Sequence, residues 1–152
     1  MIEQLSEANV RIEYFPSVNY ATCINGKRCV EYFELDNNDE EDWRDVSVSV
    51  TGELIAPSQG HVDVIARGAT IRVEGIEVTP DIDRLREQTE STDTTFTVTV
   101  CIGGREVLRR PYPLRLLAFN EWPGIGIMPE LTAAFVTPNA PELSPVLVNA
   151  AR

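Results

Sequence analysis

Positive charge is scarce in this chain. Its 152 residues include 13 lysines and arginines against 24 aspartates and glutamates, which gives a formal net charge of -11 at pH 7. A chain this acidic repels the phosphate backbone of nucleic acids. The composition therefore argues against general nucleic-acid binding.

Long apolar runs and targeting signals are also lacking. No apolar stretch approaches the length needed to span a membrane. The first residues, Met1–Gln4, lack the basic and apolar regions of a signal peptide. Hydrophobic residues still make up 43% of the chain, which is enough for the modest core of one globular domain. We expect a cytoplasmic protein that does not contact a membrane.

Motifs of common catalytic sites are absent. A Walker A phosphate loop around Gly26-Lys27 would need glycine at position 21 and serine or threonine at position 28, but the chain has Ala21 and Arg28 there. Gly-x-Ser-x-Gly, His-Glu-x-x-His and Cys-x-x-Cys do not occur. We predict no catalytic residue, no metal and no cofactor, and we expect that this chain is not an enzyme.

The single histidine, His61, lies two residues before Asp63. The two could form a catalytic pair, but no nucleophile in a recognisable motif accompanies them. A surface histidine is the favoured interpretation.

Cysteines are few and odd in number, with three in the chain. Cys23 and Cys29 flank Asn25-Gly26, a strong signal for a hairpin turn between strands over Tyr20–Ile24 and Lys27–Leu35. In a two-residue loop the two thiols would point to opposite faces, and only a bulged three-residue loop would bring them together. Because no secretion signal is present, free thiols are favoured.

Alternating apolar and polar residues predict strands with one packed face and one wet face. The first such strand carries Val10, Ile12 and Tyr14 and ends at Pro16. The clearest is Trp43–Ile55, which we expect Pro57–Gly60 to end.

A second clear pattern predicts a hairpin of Thr94–Ile102 and Arg105–Phe119, joined at Gly103-Gly104. Pro111 and Pro113 restrict its second arm to a sheet edge or to a break in pairing. The predicted core comprises the inward residues of the two cleanest strands, Val48, Val50, Phe96, Val98 and Val100.

The apolar residues of Ala69–Val78 change from odd to even positions, so we predict a bulge or turn at Gly75. A short helix should follow, with Thr79 as its N-cap and Pro80 in its first turn, and should end near Thr89.

These patterns predict a mainly β protein, an antiparallel two-sheet sandwich of the immunoglobulin or fibronectin-III kind. One short helix is interposed, and a short helical tail follows at the C-terminus. We predict that residues 1–120 form the sandwich and residues 121–152 form the helical extension.

Asp36–Asp42 is a polar loop whose clustered carboxylates would suit calcium. Its first, third and fifth residues have EF-hand-like spacing. However, Glu41 stands at the glycine position, and Ser47 stands where a bidentate glutamate is needed. A solvated loop between strands is favoured.

Basic residues gather late in the chain, at Arg105, Arg109, Arg110 and Arg115. They could form a local strip that contacts DNA or RNA. Alternatively they are charges on an edge strand, where charge prevents aggregation between strands. The second interpretation is favoured.

Leu116–Asn139 contains the end of a strand, then Asn-Glu-Trp, a glycine-rich turn and Met-Pro-Glu-Leu-x-Ala-Ala-Phe-Val-Thr-Pro-Asn. This stretch resembles the end of the N-terminal domain of very large bacterial superfamily-1 helicase-like proteins. Those proteins carry a domain of unknown function and often a C-terminal nuclease of the very-short-patch-repair type. The resemblance implies a non-catalytic accessory domain of a protein for DNA processing or defence. The family's nucleotide-binding and nuclease motifs are absent here, so no such residue can be assigned.

The segment after the predicted sandwich contains helical signals at Pro129 and at Ser144-Pro145. We predict that Trp122 anchors the junction between the sandwich and this tail. The alternative is an exposed Trp122 that forms part of an interface with a partner. A helix after Ser144-Pro145 is too short to be stable alone. We therefore expect an interface at Leu143, Val146 and Leu147, against the sandwich, another copy or downstream sequence. In the resembling family the chain continues here into the next domain, so we expect a fragment whose partner is that domain or another protein.

Overall fold

The computed structural model of the chain describes residues 5–6 and 9–121. These residues form nine strands and two short helices, and 55% of them lie in strands. The elements are β1 (Val10–Tyr14), β2 (Ser17–Val18), α1 (Tyr20–Ile24), β3 (Val30–Asp36), β4 (Trp43–Gly52), β5 (Ile55–Ile65), β6 (Thr70–Arg72), β7 (Thr79–Pro80), α2 (Ile82–Glu87), β8 (Thr92–Ile102) and β9 (Arg105–Leu116).

The strands form two sheets, which confirms the prediction of a mainly β, two-sheet protein. The smaller sheet has the order β1-β3-β6 and the larger has the order β2-β9-β8-β4-β5-β7. One of the two is curled into a half-barrel. Neighbouring strands are antiparallel except for β2 and β9, which are parallel.

One hydrophobic core is shared by the two sheets. The predicted core residues are all fully buried, and they are Val48, Val50, Phe96, Val98 and Val100. Phe33 and Leu35 of the smaller sheet belong to the same core, as does Trp43 at the start of β4. The alternation of apolar and polar residues therefore predicted correctly which side chains of these strands face the core.

Aromatic rings join the two sheets near their β1 and β9 edges. Tyr14 of the smaller sheet meets Phe96 of the larger sheet edge to face, with ring centroids 5.2 Å apart. Phe96 also stacks on Tyr112, at 5.4 Å. Such pairs add stabilisation beyond the area they bury, so this cluster ties β1 to β8 and β9.

The predicted hairpin around Asn25-Gly26 is wrong, because Tyr20–Ile24 is the helix α1. Asn19 and Thr22 form a capping box in which each side chain accepts the other residue's backbone N–H. Gly26, at φ +75°, then ends the helix. The N–H of Gly26 donates to Cys23 O and that of Lys27 to Thr22 O, which is a Schellman motif. Asn-Gly thus acts as a helix stop here.

The expectation that Pro57–Gly60 ends a strand is also wrong. β4 ends at Gly52, and β5 runs straight through Pro57–Gly60. Pro57 is tolerated because it falls at a register shift, where it has no partner on β4. At Gly60 an added Cβ would lie 2.4 Å from the carbonyl oxygen of Glu74. Glycine is therefore required for the chain after β6 to pass close to β5.

The predicted turn at Gly75 is confirmed, at φ +80°. The helix that follows is also present, but it begins later than predicted. Thr79–Pro80 pairs with β5 as β7, and Asp81 is the N-cap of α2, accepting the N–H of Asp83 and Arg84. Pairing with β5 outweighed the local capping signal of Thr79.

The predicted β8–β9 hairpin is confirmed, with Gly103 and Gly104 both at positive φ. At the far end of β9, the backbone N–H groups of Arg115 and Leu117 point away from β8 and donate to Pro16 O and Val18 O. Because backbone groups alternate in direction along a strand, the nitrogens of Pro111 and Pro113 also point away from β8. The prolines therefore cost no hydrogen bond to β8, and their predicted edge position is confirmed.

Neither of the two short helices among residues 5–121 is long and apolar enough to cross a membrane. The predicted helical tail lies outside the described residues. The same applies to the predicted junction residue Trp122 and to the interface residues Leu143, Val146 and Leu147.

Replacing Phe96 by Ala should destabilise the fold by about 3–5 kcal/mol, because the ring is fully buried between Tyr14 and Tyr112. The free energy of unfolding from denaturant titration measures the loss. The matched control is Thr95→Ala on the exposed face of the same strand, which should change stability by no more than about 0.5 kcal/mol. Equal losses from both variants would contradict the assignment of faces.

Candidate functional site

The register of β8 and β9 divides the predicted arginine strip between two faces. Arg109 lies opposite Thr99 and Arg115 lies opposite Asp93, on the outer face of the larger sheet. The other two arginines lie opposite β8 residues that pack in or against the core. Arg110 is opposite Val98, and Arg105 is opposite Ile102.

Arg109 is held by a carboxylate of its own strand. Its Nε and one terminal nitrogen donate to Glu106, at 3.0 and 2.8 Å. The hydrogen bond from Arg109 lowers the pKa of the Glu106 carboxyl below its ordinary value. Contact with a phosphate would have to compete with this exposed, bidentate pair.

Arg105 borders a groove of ≈ 390 Å³ near the start of β4 and the end of β8. The acidic residues Asp39–Asp42 form one wall of the groove, and Ile102 and Val107 contribute apolar surface. The structure thus places Arg105 beside the acidic loop, away from the outer-face arginines.

The acidic loop is tied to β4 and β5 by its own side chains. Asn37 is fully buried, and its Nδ2 donates to the carbonyl oxygens of Glu41 and Ile65. Asp39 accepts the indole N–H of Trp43 at 2.8 Å, and another loop carboxylate, Asp42, accepts the N–H of Arg67. Several polar residues of the loop therefore have structural roles. Within residues 5–121 as described, no three His, Cys, Asp or Glu side chains are grouped to hold a metal ion.

His61 and Asp63 are exposed on β5 and lie 3.1 Å apart. A second carboxylate, Asp45, lies 3.9 Å from the other ring nitrogen. The surface location favoured from the sequence is confirmed.

The three cysteines are free thiols, as favoured from the sequence. Cys23 and Cys29 line a groove of ≈ 240 Å³ between α1 and the Glu77–Ile82 segment. Burial raises the pKa of the Cys29 thiol to about 12, and burial also raises the pKa of Cys23. Both thiols are therefore protonated near neutral pH and are poor nucleophiles.

The site that the sequence did not reveal is the chain exit, residues Leu117–Glu121, where the chain leaves the larger sheet. Asn19 Nδ2 donates to the Glu121 carbonyl oxygen at 2.7 Å. Leu117 N–H donates to Val18 O, and Phe119 N–H donates to Gln88 O, each at 2.8 Å. Phe119 is nevertheless 47% exposed. The backbone of the exit is held firmly while a large apolar side chain faces outward.

The carboxylate of Glu121 completes the chain exit. It accepts hydrogen bonds from the Ser91 hydroxyl and from the Ala118 N–H. Chiefly because of the Ser91 bond, the pKa of Glu121 is lowered from its ordinary 4.5. In the sequence, Asn19 is marked only by the pattern Asn19-x-x-Thr22, which indicates the start of a helix. That pattern does not predict the hydrogen bond between Asn19 and Glu121, which is 102 positions away.

The outer side of the larger sheet carries a second feature, which we name the uncharged face. Its residues are Ser47, Ser49 and Thr51 on β4, Thr95, Thr97, Thr99 and Cys101 on β8, Gln59 on β5, and Pro111 and Pro113 on β9. Titratable side chains on the same side adjoin these residues directly. His61 of β5 lies opposite Ser47, and Glu106 and Arg109 of β9 lie opposite Cys101 and Thr99.

No protein-family model matches the chain, and no curated protein is significantly similar to it.

Lowering the pH should loosen the chain exit. Because the pKa of Glu121 is depressed in the folded state, its stabilising contribution is complete above about pH 4.5 and is lost as the pH falls through the lowered value. Hydrogen exchange at the Ala118 and Phe119 amides, corrected for intrinsic rates, should accelerate between about pH 6 and about pH 3.

The Glu121→Gln variant should exchange faster at pH 6 and should lose most of this pH dependence. Glu53→Gln, in the β4–β5 turn, is the control and should behave like the unaltered chain. If Glu121→Gln retains the full pH dependence, the Glu121 carboxylate does not hold the exit.

Proposed function

We propose that this chain is a non-catalytic interaction module of the cytoplasm, the N-terminal accessory domain of a bacterial helicase-related protein. The observation that carries the proposal is the chain exit. Hydrogen bonds from Asn19, Ser91 and Gln88 hold the backbone of Leu116–Glu121 in place, while the Phe119 side chain stays exposed. This arrangement supports a module that presents Phe119 to a partner or to another part of its own protein.

The resemblance to helicase-like proteins supports the same role, because it lies on the same residues. The similar stretch begins at Leu116, the last residue of β9, and includes Asn120-Glu121. In that family the next domain follows. The activity of the resembling proteins in DNA processing or defence would belong to their downstream domains.

We extend the proposal to an immunoglobulin-like topology. The order β1-β3-β6 corresponds to strands A, B and E of such sandwiches, and β9-β8-β4-β5 corresponds to G, F, C and C′. Trp43 is buried at the start of β4, and immunoglobulin domains have a buried tryptophan on strand C. The predicted fibronectin-III alternative shares the sandwich architecture.

The second candidate function is nucleic-acid contact through Arg109 and Arg115, the two arginines that share the outer face. About six residues of strand separate them, or roughly 20 Å, which would place them over well-separated phosphates. The net charge of -11 and the Glu106–Arg109 pair oppose such contact. We therefore rank it below the accessory role.

Purified chain should neither hydrolyse ATP, cut DNA nor bind DNA or RNA in titrations at about 0.05 M salt, where phosphate contacts are strongest. Binding that weakens steeply with salt and is lost in Arg109→Ala/Arg115→Ala would favour nucleic-acid contact. Arg11→Ala/Arg72→Ala, on the smaller sheet, is the matched control. Turnover of ATP or DNA that resists further purification would contradict the accessory role.

A positive test of the accessory role compares the chain with a longer protein extended along its natural reading frame. Hydrogen exchange at Leu117 and Phe119 should slow in the extended protein, because downstream sequence would cover the exposed Phe119 side chain. Exchange in β6, in the other sheet, should remain unchanged. Identical exchange at the exit in both proteins would contradict docking of downstream sequence at this place.

A further inference from the structure

β1 (Val10–Tyr14) is an edge strand of the smaller sheet, and among the described residues β3 is its single strand neighbour. The carbonyl oxygen of Phe33 on β3 accepts the N–H of Val73, on the side away from β1. Because backbone groups alternate in direction along a strand, the next residue, Glu34, points its own groups toward β1. Its partner there is Arg11, which is therefore one of the β1 residues that bond β3.

The same alternation points the backbone N–H and C=O groups of Val10, Ile12 and Tyr14 away from β3. The following residue, Phe15, donates its N–H to Cys29 O, which fixes the direction at that end of the strand. Val10, Ile12 and Tyr14 each offer one donor and one acceptor at an edge that no other described strand covers. Such an edge can accept a further strand.

Of the two sheet edges that meet at the aromatic cluster, β1 is the one that can accept a strand. The β9 edge is occupied near its start by Leu5, whose N–H donates to Val107 O, and at its end by β2. Between these two contacts, Pro111 and Pro113 provide no N–H donors. An added strand therefore finds a regular set of donors and acceptors at β1 and an interrupted one at β9.

The side chains of β1 are ordered so that the strand complements a second copy of itself. Ile12 is at its centre, with Arg11 before it and Glu13 after it. When two copies pair antiparallel about Ile12, Arg11 of each copy lies opposite Glu13 of the other. On the opposite face of the ribbon, Ile12 meets Ile12 and Val10 meets Tyr14. Opposite charges thus pair on one face and apolar side chains pair on the other.

We propose that two copies of this chain form a symmetric dimer by antiparallel pairing of their β1 strands, with the two-fold axis at Ile12. The register that matches the charges also brings the unused backbone groups together, because Ile12 faces Ile12 and Val10 faces Tyr14. These pairs form about six main-chain hydrogen bonds. The two smaller sheets join into one sheet with the order β6-β3-β1-β1-β3-β6. Each copy uses its β1 edge once, so the assembly closes as a dimer.

The charged side chains are positioned for this contact within each copy. Arg11 is 65% exposed and donates from one terminal nitrogen to Glu34 at 3.2 Å. Its guanidinium has further N–H groups, so it can bond Glu34 and Glu13 of the other copy together. Glu13 is in turn in contact with the Tyr32 hydroxyl. Because exposed ion pairs contribute little affinity, these charges fix the register, and the main-chain bonds and apolar pairs hold the copies together.

Sedimentation velocity on the full 152-residue chain tests for the dimer. The net charge of -11 on each copy opposes association, so the dimer should be weak and reversible. The chain should pass from monomer to dimer between about 10 µM and about 1 mM protein. A monomer throughout this range, or growth into larger assemblies, would overturn the proposal.

Two charge reversals test the register. Arg11→Glu gives both charged positions of β1 a negative charge, and Glu13→Arg gives both a positive charge. Each variant alone places like charges opposite each other, so its self-association should weaken by about tenfold. In an equimolar mixture, every charge again meets its opposite, and dimers should form about as readily as in the unaltered chain. A mixture that associates no better than the separate variants would contradict this register.

Net charge alone predicts a different pattern, because Glu13→Arg makes the chain less acidic and would then strengthen association. The matched control is Arg72→Glu on β6, which makes the same charge change as Arg11→Glu and also removes an ion pair with Glu34. It should weaken association by no more than about twofold. Circular dichroism and thermal unfolding check that all variants fold. If Arg72→Glu weakens association as much as Arg11→Glu does, β1 is not the interface.

Hydrogen exchange gives a readout on the unaltered chain. The Ile12 amide points away from β3 and should become protected as the protein concentration rises through the range in which dimers form. The Arg72 amide, on the outer edge of β6, should exchange at a constant rate. Constant exchange at Ile12 in a chain that sedimentation shows to dimerise would place the interface elsewhere and overturn the proposal.

Discussion

Burial of the alternate side chains of β4 and β8 is the constraint on which the domain depends. These strands are neighbours in the larger sheet, and Val48, Val50, Val98 and Val100 fill its inner side. A sheet with one apolar side must cover that side, and the smaller sheet does so through Phe33 and Leu35. The opposite side of the same strands is then free to carry hydroxyl groups. The core and the uncharged face are therefore two results of one alternation.

The sequence predicted those elements in which local pattern and tertiary packing agree. The β8–β9 hairpin has a clean two-residue period and a glycine pair, and it formed as predicted. The hairpin predicted at Asn25-Gly26 was wrong because this dipeptide can either end a helix or form a hairpin turn. The Asn19–Thr22 capping box upstream favours the helix. The prediction that a strand ends at Pro57 was wrong because β5 accommodates this proline at a register shift, and only the pairing of β4 with β5 creates that shift.

The surfaces were less predictable than the core because they depend on residues far apart in sequence. Asn19 and Glu121 are 102 positions apart and are brought together by the pairing of β2 with β9, so no spacing rule reveals the chain exit. The arginines of β9 are close in sequence, yet alternation sends Arg109 and Arg110 to opposite sides of the strand. The acidic loop was a candidate cation site, whereas Asn37 and Asp39 fasten it to β5 and β4 through Ile65 and Trp43.

The nitrogens of Pro111 and Pro113, which point away from β8, affect whether another copy of this chain can add a strand beside β9. A strand added beside β9 would find carbonyl acceptors there but no N–H donors at the two proline positions. Growth of the larger sheet into a continuous fibre is therefore blocked along that edge. Newly synthesised chains can accumulate at high local concentration without templating one another through it.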